Sequence, residues 1–146
     1  MLGMKKLLFI LSLLLFASPT FSQSAKAKQK RKMADTLERA NFFFAEKAFL
    51  TALPIYQFLL DSSPDKKMQM YYKYCLGICC LVKTDQHEKS LSLLSEVAEK
   101  NKKAADIQFY LARAYMLNYK FNEAILQFTE YDSNKNARRE LKTEAL

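Results

Sequence analysis

The 146-residue sequence predicts an all-α fold, an α-α superhelix (solenoid) of about three helix–turn–helix units. Three observations carry this expectation. Two glycines and three prolines leave too little punctuation for a sandwich, barrel or propeller, whose many tight turns need Gly, Asn-Gly or Pro-Gly. Small residues recur at a nearly fixed interval, 37 from Ala40 to Gly77 and 35 from Gly77 to Ala112. A second series, Ala52, Ser90 and Ala124, is spaced by 38 and 34, with Tyr56, Leu94 and Phe128 each four residues further on.

The chain opens with Lys5 and Lys6, an apolar run over 7–17 broken only by Ser12, and then Ser18-Pro19-Thr20-Phe21-Ser22. A basic start, a short apolar stretch and small residues before a polar segment fit a secretory signal peptide over 1–22, cleaved before Gln23. An uncleaved anchor is the alternative, but the run is about half the roughly 20 residues a spanning helix needs. No cysteine lies near the expected cleavage point, so lipoprotein-type lipidation is not expected. Residues 23–32 follow, with five basic residues between Ser24 and Lys32, no acid and no large apolar side chain. Such a segment buries too little to offset its ordering entropy, so a flexible spacer is expected, with a polybasic contact to anionic lipid or polymer as the alternative.

Charge divides along the same lines. The formal net charge is +8, but two positive charges lie in the leader and five in the spacer. From Met33 onward 16 basic residues face 15 acidic ones, so the folded part is nearly neutral and nucleic acid is not an expected partner.

The helical part is expected over 33–138, in units of about 33–66, 70–103 and 105–138. Helices are predicted over 33–47, 49–62, 67–82, 87–101, 104–117 and 121–131, with a seventh starting at Arg138. Asp65 is placed to cap the third, and Asn122-Glu123 put acceptors and negative charge near the start of the sixth. Pro54 falls near the start of the second, where it is tolerated with a slight kink. The second unit carries about one extra residue between Thr84 and His87. Ala40, Gly77 and Ala112 are expected to face Ala52, Ser90 and Ala124 where paired helices cross, with Phe43, Tyr56, Tyr115 and Phe128 filling the space around them.

This pattern resembles the tetratricopeptide repeat, a helix–turn–helix of about 34 residues with a W-x2-L-G-x2-Y…A-x3-F…P signature. The third copy, LARAYMLNYKFNEAILQF, is the best match; the second carries Leu76-Gly77. In the first, Thr36 and Arg39 stand at the tryptophan and leucine positions, and no copy has the tryptophan. The Phe-Ser-Gln ending of the leader resembles signal peptides of the Bacteroidota. The phrases YYKYCLGICCL and ADIQFYLARAYMLNYKFNEAI are similar to exported modules that precede β-propeller and OmpA-like domains in the envelope proteins of that group. The resemblance implies a non-enzymatic, periplasmic scaffold, with its partners as the expected link to the outer membrane. Neither downstream domain occurs here, so peptidoglycan binding is not carried over. Residues 139–146 are expected to begin an incomplete capping helix, leaving the last face to a partner or to further chain.

In such arrays the first helix of each unit lines the concave groove. The resemblance therefore implies Asn41, Phe44, Tyr71, Tyr74, Ile78, Phe109, Arg113 and Met116 as candidate partner-binding positions, with about half of them expected to pack between units instead. Aromatic and Met contacts there suit a protein or peptide segment, and Asn41 or Arg113 could fix a polar group. Only Asn41 matches the chaperone-binding carboxylate clamp of the family, so that ligand is not carried over.

Catalytic signals are absent. There is no phosphate loop or nucleophile elbow, and the lone His87 sits among Asp85 and Glu88 in a polar turn. Cys75, Cys79 and Cys80 with His87 lack a recognisable zinc spacing and read as buried structural thiols, although intermolecular pairing and a redox or metal role stay open. No enzyme activity, cofactor or metal is expected. Oligomeric state is not legible.

Overall fold

The computed structural model describes residues 19–101 and 106–134. Six α-helices order these residues: α1 Pro19–Ala45, α2 Phe49–Ser62, α3 Lys66–Cys80, α4 His87–Lys100, α5 Ile107–Leu117 and α6 Phe121–Ser133. Among the described residues there is no strand. Most of the leader, the expected start of the fifth helix at 104 and the expected seventh helix lie outside them.

The chain forms two compact units, Met1–Asp35 and Thr36–Leu146. The described part of the first is the leading stretch of α1, and residues 25–32 are exposed throughout. The spacer expected to be flexible is therefore helical here. Ala, Lys, Gln and Arg are strong helix formers, so local propensity favours the helix even where nothing is buried.

In the second unit consecutive helices pack on each other, α2 on α3, α3 on α4, α4 on α5 and α5 on α6. Each buries one stripe at helical spacing: Ala52, Tyr56 and Leu59 on α2, and Ser90, Leu94 and Val97 on α4. The middle helix, α3, differs because it is covered from several sides, and every residue from Cys75 to Cys80 is buried. Ile78, Leu81, Leu94, Val97, Ile107, Leu111 and Ala114 form the central apolar cluster between α3, α4 and α5.

The ends of the helices follow from local chemistry. Asp65 caps α3 as expected, its Oδ1 accepting from the backbone N–H groups of Lys67 at 2.9 Å and Met68 at 3.4 Å. α1 and α5 end in the same turn. Lys47 and Tyr119 take the left-handed conformation, with φ of 56° and 60°. Ala48 N–H then donates to Phe43 O and Lys47 N–H to Phe44 O, while Lys120 N–H donates to Tyr115 O and Tyr119 N–H to Met116 O. This double closure is the Schellman pattern, built twice without the usual glycine. α3 ends differently, through a 3-10 turn at Thr84–Gln86 that takes up the extra residue noted in the sequence.

All the small residues at the expected crossings are buried: Ala40, Ala52, Gly77, Ser90, Ala112 and Ala124. The tightest crossing is at Gly77, where a Cβ would lie 2.8 Å from Leu94 Cγ and 2.9 Å from Leu94 Cδ2. Ser90 Oγ donates to Gly77 O across the same crossing at 2.7 Å. Of the expected space-filling aromatics, Tyr56 is fully buried, whereas Phe43, Tyr115 and Phe128 are half-buried. Phe109 and Tyr131 do the equivalent filling between α5 and α6, with ring centroids 5.5 Å apart.

Polar contacts pin the helices at their margins. Lys73 of α3 pairs with Glu96 of α4 at 2.6 Å, and Lys100 meets the other oxygen of the same carboxylate at 2.6 Å. Those two hydrogen bonds hold the Glu96 carboxyl below its ordinary pKa. Asn118 Nδ2 donates to His87 O at 2.9 Å, and Tyr131 Oη donates to Asp106 Oδ1 at 3.2 Å.

Gly77→Val should force α3 and α4 apart and lower the melting temperature, with an overpacking cost of about 1–3 kcal/mol. Ala124→Leu should act likewise at the last crossing. Thermal unfolding followed by circular dichroism checks both, and an unchanged midpoint for Gly77→Val would refute the tight crossing.

Candidate functional site

The first helices of successive pairs meet along one line of aromatic residues. Asn41 of α1 accepts hydrogen bonds through Oδ1 from the hydroxyls of Tyr56 and Tyr71, each at 2.8 Å. Tyr71 and Tyr74 sit one turn apart on α3, and Tyr74 packs edge-on against Tyr110 of α5 with centroids 6.0 Å apart. α1, α3 and α5 are thereby linked through side chains that the i, i+3 spacing brings to one face.

Beside this line lies an open hollow of about 520 Å³. Met70, Tyr71 and Tyr74 form its α3 wall, Val97 and Asn101 its α4 side, and Lys67 and Asp106 stand at its polar margins. Lys67, Met70, Tyr71 and Tyr74 follow one another at i, i+3, i+4 and i+7, so a single face of α3 supplies the charge, the thioether and both phenol rings. The lining is mainly apolar with a few polar groups, the usual composition of a recognition pocket.

The eight positions expected in the groove separate accordingly. Tyr71 and Tyr74 line the hollow, and Asn41 holds Tyr71. Phe44 is half-buried and packs edge-on against Phe49 and Tyr56. Ile78 and Phe109 are 3% and 1% exposed, so both are packing residues and offer nothing to a partner. Arg113 stacks its guanidinium over the Phe109 ring at 5.9 Å. Met116 is 42% exposed on α5 but does not line the hollow.

Lys67, Met70, Asn101, Asp106 and Tyr110 were not anticipated. Lys67 and Met70 stand on the Tyr71 and Tyr74 stripe, and an i−3, i−4 extension of that stripe would have found them. Nothing local marks Asn101 and Asp106, which are brought in by the packing of α4 and α5.

The thiols are closed off. Cys75, Cys79 and Cys80 are buried and free. Burial pushes the Cys75 thiol up to about 11, although hydrogen bonding with Tyr56 and Tyr71 offsets part of that shift. Burial raises Cys79 and Cys80 as well, and it pushes the Tyr71 phenol up to about 12. Such thiols are poor nucleophiles and poor metal ligands, since both roles need the thiolate. Among the described residues no group of three or more His, Cys, Asp or Glu is set to hold a metal ion, and no helix is long and apolar enough to cross a membrane.

Compared with protein-family models, with curated proteins and with solved structures, the chain matches none.

A thiol reagent at pH 8 should leave all three cysteines of the native protein unmodified and label all three after denaturation. The pH dependence has a definite sign. A pKa raised by folding means that the stability from keeping Cys75 protonated is complete below the unfolded value of about 9 and is lost as the pH climbs through about 11. Rapid native labelling, or stability unchanged between pH 8 and pH 11, would contradict the buried-thiol assignment.

Proposed function

We propose that this protein is an exported, non-enzymatic protein-binding scaffold of the tetratricopeptide type, and that it holds a segment of a cell-envelope partner against the aromatic line of α1, α3 and α5. One observation carries the reading: Met70, Tyr71 and Tyr74 of α3 open a mainly apolar hollow against α4, with Tyr71 tied to Asn41 of α1 and Tyr74 packed on Tyr110 of α5, while α3 and α4 are locked by the Gly77 crossing. Large, rigid aromatic rings on a packed scaffold are what recognition of a peptide segment requires, because their contact area comes at low entropic cost.

Further support comes from recurrence. The small residues at the crossings, the twin Schellman turns closing α1 and α5, and the sequential packing of helices agree with a helix–turn–helix array. The leader is the basis for placing the scaffold in the periplasm, and its partners are the proposed link to the outer membrane. On this reading the site needs no cofactor, metal or nucleic acid.

Met70→Ala with Tyr74→Ala should weaken capture of the envelope partner by about ten-fold or more, the loss expected on truncating a central anchor pair. Crosslinking in the native envelope followed by affinity measurement reads this out, with far-ultraviolet circular dichroism as the check that helicity is retained. Undiminished capture would move the site elsewhere.

A second reading has its own observation. The five basic residues between Ser24 and Lys32 lie on a helix whose residues 25–32 are all exposed, so their charge is presented to solvent on every side. Association with anionic lipid or cell-wall polymer is the function this suits. Deleting residues 24–32 should then abolish salt-sensitive binding to acidic vesicles, whereas binding that persists after the deletion would eliminate this reading.

A further inference from the structure

The outer surface of α6 has no role in the hollow on α3. It carries three large apolar residues in the open, Phe121 at 56% exposure, Ile125 at 64% and Leu126 at 65%. Tyr119, in the strained left-handed turn just before the helix, packs its ring against Phe121 with centroids 6.3 Å apart and extends the patch. Isolated exposed apolar residues are ordinary, but four of them joined at one end of a helix form a surface that favours being covered.

The fold itself shows what covers such a position. Ile125 follows Ala124 as Leu91 follows Ser90 and Leu53 follows Ala52. Leu91 packs against the central cluster, to which α5 contributes Ile107 and Leu111. Leu53 and Leu91 are half-buried where further described helices pack alongside, whereas Ile125 is open, and a helix is the shape that matches it.

The chemistry of that helix is set by charge. From Phe121 to Ser133, α6 carries Glu123, Glu130 and Asp132 and no Lys or Arg. Beside it, between α4, α5 and α6, lies a second hollow of about 330 Å³, lined in part by Glu99, Gln108, Gln127 and Glu130. The Oε1 atom of Gln108 is buried and has no hydrogen-bond partner. An acceptor in that state costs stability until a donor reaches it. Leu126 and Glu130 are one turn apart on α6, so the apolar patch runs directly to the rim of this hollow.

We infer that the outer face of α6 is a docking surface for an amphipathic helix of another polypeptide, one with an aliphatic stripe flanked by Lys or Arg. The stripe covers Phe121, Ile125 and Leu126, and a flanking cation enters the hollow of Glu99 and Glu130, where the two carboxylates and the Oε1 atom of Gln108 can accept from its N–H groups. This surface is separate from the one around Tyr74, so Met70→Ala with Tyr74→Ala leaves it intact and failure at either surface is read independently of the other.

The test uses the full chain and two synthetic helical peptides of about 18 residues, each with one leucine face, flanked by lysine in one and by glutamate in the other. Fluorescence anisotropy should show saturable binding of the lysine-flanked peptide at least about ten-fold tighter than its counterpart. Ile125→Lys with Leu126→Glu should abolish it, and Glu99→Gln with Glu130→Gln should erase the preference between the peptides. Leu50→Lys, at an equally exposed apolar position on α2, should change neither. Equal binding of both peptides, or binding indifferent to Ile125, overturns the proposal. Self-association in sedimentation that Ile125→Lys removes would assign the face to a second copy and overturn it as well.

Discussion

The close approach of α3 and α4 at Gly77 is the constraint on which the rest of the molecule depends. With Leu94 where a Cβ would stand, only glycine permits this axis separation, and Ser90 fixes it with a hydrogen bond to Gly77 O. Placing a glycine in mid-helix costs about 1 kcal/mol relative to alanine. The burial that follows is worth more: Ile78, Leu81, Leu94 and Val97 enter one cluster with α5, and each deeply buried aliphatic side chain contributes roughly 1.5–3 kcal/mol. Because α3 is covered on several sides, its position determines where α2 and α5 can lie.

That placement has a direct consequence for recognition. Burial of α3 deepens toward its C-terminal half, from Cys75 to Cys80, while one turn earlier Tyr71 and Tyr74 remain partly open and line the hollow. The same burial silences the thiols. Thiols raised well above neutral pH within a packed helix remain protonated and so resist oxidation. Packing, rather than a disulfide framework, therefore holds this small domain together, and the polar links at Glu96, Asn118 and Tyr131 orient helices that the apolar contacts have already brought into place.

Charge and apolar surface are distributed unevenly along the chain. The positive excess sits on the exposed leading stretch of α1, the body is nearly neutral, and α6 is acidic with open apolar residues. Long-range attraction and short-range burial are thus assigned to different places. The proposed recognition line on α1, α3 and α5 uses aromatic contact, while the proposed docking face on α6 combines apolar cover with acidic flanks. A scaffold with two such surfaces could hold two different segments at once without either competing for the same side chains.

The sequence by itself determined the helices and their crossings. Fewness of glycine and proline, period and small-residue register are local properties, and they placed α2 at its observed bounds and located Asp65, Gly77, Ser90 and Ala124 in their roles. The helical form of residues 23–32 follows from the helix propensity of Ala, Lys, Gln and Arg rather than from burial. Only the tertiary structure decided which apolar residues of a helix face a neighbour and which stay open. The resemblance implies Ile78 and Phe109 as groove residues, yet they are buried because α3 is packed between α2 and α4, and α5 between α4 and α6. Asn101 and Asp106 reach the hollow only through the packing of α4 and α5. Periodicity identifies a face, but the second surface that buries it or leaves it open comes from elsewhere in the chain, and no local pattern encodes that choice.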